Sequence, residues 1–337
     1  MEKGNTSKAN PDSWEKAIFN VNGLPYFNEL ALRIFYFQAQ ENPIYRHYLE
    51  LRGVNPADVR EVEQIPFLPI EAFKFHRVLS TNETPRLTFR SSGTTGELRS
   101  SHEVIYPQLY DTSSLRGFQL FFGDPQEWII LALLPSYLER NDASLVYYTE
   151  LLIKKSAHPE SGFYLDKLEQ LAQNLNSYIA RGKKVLLLGV TFALLDLMES
   201  GPFDLPALHI METGGMKGRR KELTRAELHQ LLRKGFGTPN IYSEYGMTEL
   251  LSQAYCLDGS VFNCPPWMQI KIREADDPYS YCQPGITGGI NIIDLANVYS
   301  CSFIATQDLG KLHTDGSFEV IGRFDHSDLR GCNLMVL

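Results

Sequence analysis

One short run of the chain is built almost entirely from hydroxyl side chains and glycines: Ser91, Ser92, Gly93, Thr94, Thr95 and Gly96. Glycines let successive backbone N–H groups turn toward one point, and small hydroxyls add donors without filling the space of an anion. The run therefore predicts a loop that binds phosphate, with an ordinary surface turn as the alternative. It matches neither the common mononucleotide loop, which ends in Gly-Lys-Ser/Thr, nor the dinucleotide fingerprint.

A second motif lies much later in the chain, at Ser243-Glu244-Tyr245-Gly246-Met247-Thr248-Glu249. In this order, the two stretches resemble the phosphate loop and the Tyr-Gly-x-Thr-Glu motif of the acyl-adenylate-forming superfamily. Over residues 42–332 the resemblance narrows to the acyl-protein synthetases of bacterial bioluminescence and their relatives. It implies ATP- and Mg²⁺-dependent activation of a fatty acid, which is passed as an acyl group to a protein cysteine.

The resemblance also implies roles for single residues. Tyr245 and Gly246 would lie against the adenine, Thr248 would donate to the α-phosphate, and Glu249 would hold Mg²⁺. Asp308, in a segment that resembles Thr-Gly-Asp-Leu-Gly but has Gln307 in place of the glycine, would accept hydrogen bonds from the ribose hydroxyls. The remaining nucleotide contacts, besides the phosphate loop, are Gly214, Gly215, Met216 and Arg323. The acyl-pocket candidates are Val190, Phe192 and Leu195, for which plain core packing is an equal alternative.

Two further catalytic candidates follow from an expected absence. The chain stops shortly after Gly331, so we expect it to lack the C-terminal domain that brings a lysine to the phosphates in most adenylate-forming enzymes. Lys217, beside Arg219 in a basic turn, is the first candidate to replace that lysine, with Arg99 or a partner protein as others. By resemblance, Cys332 would carry the acyl group, with a buried packing role as the alternative.

Several alternatives to this function stay open. Coenzyme A or a phosphopantetheine carrier could be the acyl acceptor, and an aryl acid could replace the fatty acid. Outside catalysis, the chain could be a nucleotide-binding subunit that works in complex with an acyl reductase. The partner implied by the resemblance is accordingly an acyl-CoA reductase or an acyl carrier.

The elements that must position these residues follow an α/β pattern. Continuous apolar runs at 128–134 and 184–189 predict strands buried on both faces, and helices are predicted between them. The apolar pattern of 27–51 predicts a helix that is interrupted near Pro43, and Thr224 and Glu227 predict a capping box at the start of a later helix. From residue 267 the pattern changes to short alternating runs, with Asp315-Gly316 as a hairpin signal. We therefore predict an α/β adenylate-forming fold with mixed and parallel sheets and flanking helices. Its predicted divisions are a disordered segment 1–12, an α/β lobe 13–266, a β-rich lobe 267–325 and a hinge or tail 326–337.

Composition excludes other classes of protein. The 337 residues are 43% hydrophobic, enough for a large core, and the 40 acidic against 32 basic side chains argue against a nucleic-acid partner. No apolar run reaches the roughly 20 residues of a membrane span, and Met1–Gly4 does not resemble a signal peptide, so a cytoplasmic location is expected. The five cysteines show no paired spacing that would predict zinc.

Overall fold

The computed structural model describes residues 11–92, 98–134, 142–164, 167–214 and 223–324. Its α-helices are α1 (Pro11–Phe19), α2 (Leu24–Glu41), α3 (Pro43–Leu51), α4 (Ala72–Phe75), α5 (Pro107–Phe122), α6 (Ser144–Ser156), α7 (Leu168–Ala180), α8 (Thr191–Glu199) and α9 (Arg225–Phe236). Its β-strands are β1 (Leu68–Pro69), β2 (Leu87–Arg90), β3 (Ser101–Val104), β4 (Ile129–Leu133), β5 (Gly162–Phe163), β6 (Val185–Val190), β7 (Leu208–Thr213), β8 (Asn240–Tyr245), β9 (Ala254–Cys256), β10 (Met268–Arg273), β11 (Thr287–Asp294), β12 (Phe303–Leu312) and β13 (Phe318–Arg323). The predicted mixed α/β class is confirmed.

The described chain divides into two compact units. The first takes its residues from Met1–Thr88, Ser100–Leu109 and Cys264–Leu337, and the second from Phe89–Arg99 and Tyr110–Asn263. This division corrects the predicted lobes, because residues 13–88 belong with the β-rich segment and not with the α/β lobe. The reason is pairing between distant parts of the chain, which a pattern of neighbouring residues does not reveal.

The first unit is built on a sheet in which β10, β11 and β12 are antiparallel neighbours. On the side away from β11, β12 has two partners. It pairs in parallel with β1 at Ile304–Ala305 and antiparallel with β13 at 308–312. The predicted hairpin at Asp315-Gly316 joins β12 to β13, and Gly316 takes the positive φ of 86° that favours glycine. This hairpin places Asp308 directly opposite Arg323.

Helices α2 and α3 pack on this sheet through aromatic rings and two buried amides. Gln38 donates to the carbonyls of Asn297 and Val298 and accepts from the Ser302 amide at 3.0 Å. The predicted interruption near Pro43 is confirmed: the Asn42 side chain caps α3 by accepting from two backbone amides, and it also donates to the Ser300 carbonyl at 2.9 Å. These contacts explain why the N-terminal helices belong to the β-rich unit.

The second unit holds a six-stranded sheet in the order β5-β4-β6-β7-β8-β9. All strands run parallel except β9, which pairs antiparallel with β8. Every residue of β4 and β6 is buried, as the continuous apolar runs predicted for strands covered on both faces. Because α8 connects β6 to β7 and α9 connects β7 to β8, the carboxyl ends of these three strands lie at one edge.

The start of α9 confirms the predicted capping box. The Thr224 hydroxyl accepts from the Glu227 amide at 3.3 Å, and the Glu227 carboxylate accepts from the Thr224 amide at 2.8 Å.

Within the parts of the chain that the structure describes, no helix is both long and apolar enough to cross a bilayer.

Candidate active site

The carboxyl edge of the second unit's parallel sheet brings the start of the glycine turn at Gly214 next to the Tyr-Gly-x-Thr-Glu segment. Val190 of β6 lies opposite Thr213 of β7, which in turn lies opposite Glu244 of β8. Gly214, the residue after β7, and Tyr245, the last residue of β8, therefore lie side by side at this edge. In open parallel sheets, ligands bind outside this edge, so the arrangement suits a small-molecule site.

The Tyr-Gly-x-Thr-Glu segment forms the end of β8 and the turn that follows it. Tyr245 is 9% exposed and packs against Phe262 with ring centroids 5.8 Å apart. A Cβ at Gly246 would collide with the Glu244 carboxylate, so a larger residue there would have to displace that side chain. The Leu250 amide donates to the Met247 carbonyl at 3.1 Å, which makes Thr248 and Glu249 the two central residues of a turn.

Glu249 is 5% exposed, whereas Thr248 is half-buried. The described residues hold no cluster of three or more His, Cys, Asp or Glu side chains that could bind a metal ion by themselves. A single carboxylate is nevertheless what Mg²⁺ takes from a protein when substrate phosphates supply other ligands. Glu249 is therefore chemically suited to the predicted metal role.

Glu244 is a second carboxylate at this edge, to which the sequence had assigned no role. Burial raises its pKa to about 7; the hydrogen bond that it accepts from the Thr213 hydroxyl opposes the rise, and the charge of Glu212 adds to it. Glu212 itself is buried in β7, where it accepts a hydrogen bond from the Ser243 hydroxyl. The sequence signal that could have revealed this cluster was a carboxylate directly after the apolar pair Ile210 and Met211 of a predicted strand.

Ser91 and Ser92 follow β2 at the base of the predicted phosphate loop, whose residues Gly93, Thr94, Thr95 and Gly96 lie outside the described residues. Arg99 closes this base, because its Nε donates to the Ser91 carbonyl at 2.7 Å. Its Nη2 also bonds to both Asp142 oxygens, at 3.2 and 3.3 Å. Asp142 was not predicted, since its partner is distant in sequence. Ser91 and Asp142 thus occupy the Arg99 guanidinium, which weakens its candidacy as a catalytic cation at the phosphates.

Gly214 has a φ of 71° and ends β7, and its carbonyl accepts from the Thr191 hydroxyl at 2.6 Å. The other predicted residues of this turn, Gly215, Met216 and Lys217, lie outside the described part of the chain, as does Cys332. The acyl-pocket candidates Val190, Phe192 and Leu195 are between 0 and 3% exposed. Their burial is what core packing requires, and their acyl contacts stay a prediction.

The first unit contains two further predicted nucleotide contacts, Asp308 and Arg323. Arg323 Nε donates to Asp308 Oδ1 at 2.9 Å, with the Asp308 side chain 9% and the Arg323 side chain 76% exposed. The unusual Gln307 donates its side-chain amide to Glu71. Arg273, which was not predicted, braces the same strand, since its Nη2 donates to the Thr306 carbonyl at 2.6 Å. These bonds fix the strand on which Asp308 lies, and its carboxylate is buried beside the Arg323 guanidinium.

The four cysteines inside the described ranges are free thiols. Burial is the main cause that raises the thiol pKa of each of them, and it raises that of Cys301 to about 12. A thiol attacks as its thiolate, so these residues are poor nucleophiles at neutral pH. They are Cys256, Cys264, Cys282 and Cys301.

Comparisons with known proteins agree with this architecture. No protein-family model matches the chain. A 67-residue segment, 20% of this chain, is 40% identical to a long-chain-fatty-acid–luciferin-component ligase of Photorhabdus luminescens and spans about half, 54%, of that relative.

Similar solved structures extend over most of the chain. A 2-hydroxyisobutyryl-CoA ligase in complex with 2-HIB-AMP and CoA matches 90% of this chain and 70% of its own, with a TM-score of 0.69 and 12% identity. ATP-bound MatB from Rhodopseudomonas palustris matches 73% of this chain and 48% of its own, with a TM-score of 0.54 and 16% identity. The chain thus has the fold of the acyl-adenylate-forming enzymes, and part of it resembles a long-chain-fatty-acid–luciferin-component ligase in sequence.

Proposed function

We propose that this protein uses ATP to convert a fatty acid into an acyl-adenylate and then transfers the acyl group to a protein cysteine. The observation that carries the proposal is the register of β7 and β8, which brings Gly214 and the segment from Ser243 to Glu249 to one edge of a parallel sheet. The partial likeness to a long-chain-fatty-acid–luciferin-component ligase supports the fatty acid as substrate.

In the proposed first step, a carboxylate oxygen of the acid attacks the α-phosphorus of ATP and pyrophosphate leaves. The protein's contribution is positioning and electrostatic stabilisation, because no protein nucleophile is needed. Hydroxyl and amide groups of the loop that begins at Ser91 would donate to the phosphates, and Thr248 would donate to the α-phosphate. Mg²⁺, bound through Glu249, would neutralise phosphate charge.

The nucleoside contacts complete the proposal. The adenine would lie against the backbone at Gly214 and the ring of Tyr245. The Asp308 carboxylate can accept hydrogen bonds from ribose hydroxyls because it has acceptor capacity beyond its bond with Arg323. Lys217 is proposed as a catalytic cation that acts on the phosphates.

Acid-dependent ATP–pyrophosphate exchange tests the first step. We expect exchange with medium- or long-chain fatty acids and Mg²⁺, and no exchange with aryl acids of similar size. Glu249→Gln keeps the shape of the side chain but removes its charge, so it should lower the exchange rate at least tenfold. Glu150→Gln, at an exposed position of α6, is the matched control and should leave the rate unchanged. Normal exchange in Glu249→Gln would remove this residue from the mechanism.

The acceptor is tested separately. We propose Cys332 as the acceptor, which the family resemblance implies, and the raised thiol pKa of each described cysteine supports this choice. Incubation with ATP, Mg²⁺ and a labelled fatty acid should then give a hydroxylamine-sensitive acyl-protein, whose thioester forms as AMP leaves. Cys332→Ser should abolish the label and spare pyrophosphate exchange, whereas Cys282→Ser should change neither. Label on another cysteine, or only on added coenzyme A, would refute this acceptor.

A further inference from the structure

A buried chain of hydrogen bonds runs behind the carboxyl edge of the second unit's sheet. It joins four elements through side chains that are each between 1 and 7% exposed. In order, the members are His229 of α9, Ser243 of β8, Glu212 of β7 and Thr191 of α8.

Hydrogen-bond directions fix how the first three members interact. An ionised carboxylate only accepts, so the Ser243 hydroxyl donates its single proton to Glu212 Oε1. The Ser243 oxygen must then accept from His229, whose Nε2 lies 2.9 Å away and carries the hydrogen. In the part of the chain that the structure describes, His229 Nδ1 has no hydrogen-bond partner. The ring is therefore oriented through Nε2 alone.

Thr191 is the last member of this chain of hydrogen bonds. It lies beside the turn that begins at Gly214, a predicted adenine contact. Its hydroxyl lies 2.6 Å from the Gly214 carbonyl oxygen and 3.3 Å from Glu212 Oε2. A hydroxyl has only one proton, so the shorter contact is the main bond and the longer one a weak second branch. Thr191 therefore ties the first residue of α8 to the first residue after β7.

Two members of this chain of bonds, Thr191 and Ser243, lie next to predicted nucleotide contacts. Gly214 begins the glycine turn, and Ser243 lies two residues before Tyr245. We propose that Thr191 and Glu212 are positioning residues that hold these two strand ends in the geometry required to bind the nucleotide. The proposal rests on the proposed function, because it concerns the same site. Without such preorganisation, ATP must order the strand ends itself, which lowers its affinity.

A general contribution to stability is the competing explanation, and the chain offers a matched control against it. Thr238 is 2% exposed, and its hydroxyl donates to the Leu208 carbonyl at 2.5 Å. It therefore makes the same kind of bond as Thr191, but at the opposite end of β7. Thr191→Val and Thr238→Val each remove one buried hydroxyl with little change in volume.

The experiment compares these variants by thermal unfolding, direct ATP binding by calorimetry, and steady-state exchange. Both should lower Tm by similar amounts, since each loses one short buried hydrogen bond and one longer contact. The longer contact of Thr191 is with Glu212 at 3.3 Å, and Thr238 accepts from the Asn240 amide at 3.2 Å. Only Thr191→Val should raise the Kd and the KM for ATP, at least fivefold, with kcat changed less than twofold. Thr191→Ser restores the hydroxyl and should restore the wild-type Kd. If Thr191→Val does not fold, Ser243→Ala interrupts the same chain and should raise the Kd likewise.

The outcomes separate the two proposals. If ATP exchange occurs but Thr191→Val and Thr238→Val bind ATP equally well, the positioning role is wrong and the proposed function stands. If no acid supports exchange but ATP binding is weakened only in Thr191→Val, the proposed reaction is wrong and the positioning role stands. A wild-type protein that does not bind ATP would refute both.

Discussion

Glu244 gives the sharpest test of the electrostatics at the sheet edge. Its pKa rises from an ordinary 4.5 to about 7, chiefly because the folded protein buries the carboxylate. The unfolded chain would ionise it near 4.5, so between these two values the folded state binds more protons than the unfolded state. Stability should therefore fall as the pH rises from 4.5 through 7.

Glu244→Gln removes the free-energy cost of burying a charged carboxylate, because the amide is neutral at every pH. Its oxygen can still accept the hydrogen bond from the Thr213 hydroxyl. At about 1.4 kcal/mol for each pH unit, the raised pKa corresponds to about 3 kcal/mol as an upper bound. Since Glu244 is half-buried and solvent screens part of the penalty, we expect about 1 to 3 kcal/mol. The variant should be more stable than wild type by this amount at pH 8 and equally stable near pH 4.5.

Urea unfolding of both proteins between pH 4.5 and 8.5 measures the difference. Glu150→Gln, at an exposed position, is the control and should change the free energy of unfolding by less than about 0.5 kcal/mol at any pH. The neighbouring titratable groups are Glu212 on β7 and the hydroxyls of Tyr110, Tyr148 and Tyr255. These tyrosines stay neutral throughout this range because burial raises their pKa. A pH-independent difference, or a less stable Glu244→Gln at pH 8, would refute the reasoning.

Three further predictions concern packing, the nucleotide and the glycine of the second motif. Leu187→Ala, in the fully buried β6, should cost about 2 to 5 kcal/mol in urea unfolding, whereas Leu231→Ala, 41% exposed, should cost under about 0.5; equal costs would contradict the assigned core. Asp308→Asn should raise the KM for ATP roughly tenfold or more through a lost charged hydrogen bond, and an unchanged KM would exclude the ribose role. Gly246→Ala should displace the Glu244 carboxylate and weaken ATP binding measured by calorimetry. Wild-type affinity would show that Glu244 can move without disturbing the nucleotide site.

Local sequence signals predicted most of the elements. The apolar runs of β4 and β6, the capping box at Thr224 and the hairpin at Asp315-Gly316 each depend on residues close together in the chain, and the structure has all four. Two residues predicted to contact the adenine, Gly214 and Tyr245, follow or end neighbouring strands and lie at one edge of the sheet, while their binding role stays a prediction.

Pairings over long separations were not predictable in this way. Neither the bond between Arg99 and Asp142 nor the chain from His229 to Thr191 leaves a pattern in neighbouring residues. The same limit explains the wrong lobe boundary, since β1 joins the sheet through β12. Buried polar residues inside apolar runs, such as Glu212, mark where such pairings occur but do not name the partner.

The discontinuous first unit has a consequence for synthesis on the ribosome. Gln38 and its partner Ser302 are separated by 264 residues. At roughly 5 to 20 residues per second, the partner is made roughly 10 to 50 seconds later. During this interval the second unit can already fold, because it is nearly continuous in the chain. The apolar faces of α2 and α3 stay uncovered until β11 and β12 have been made. The nascent N-terminal helices are therefore the segment that we expect chaperones to hold.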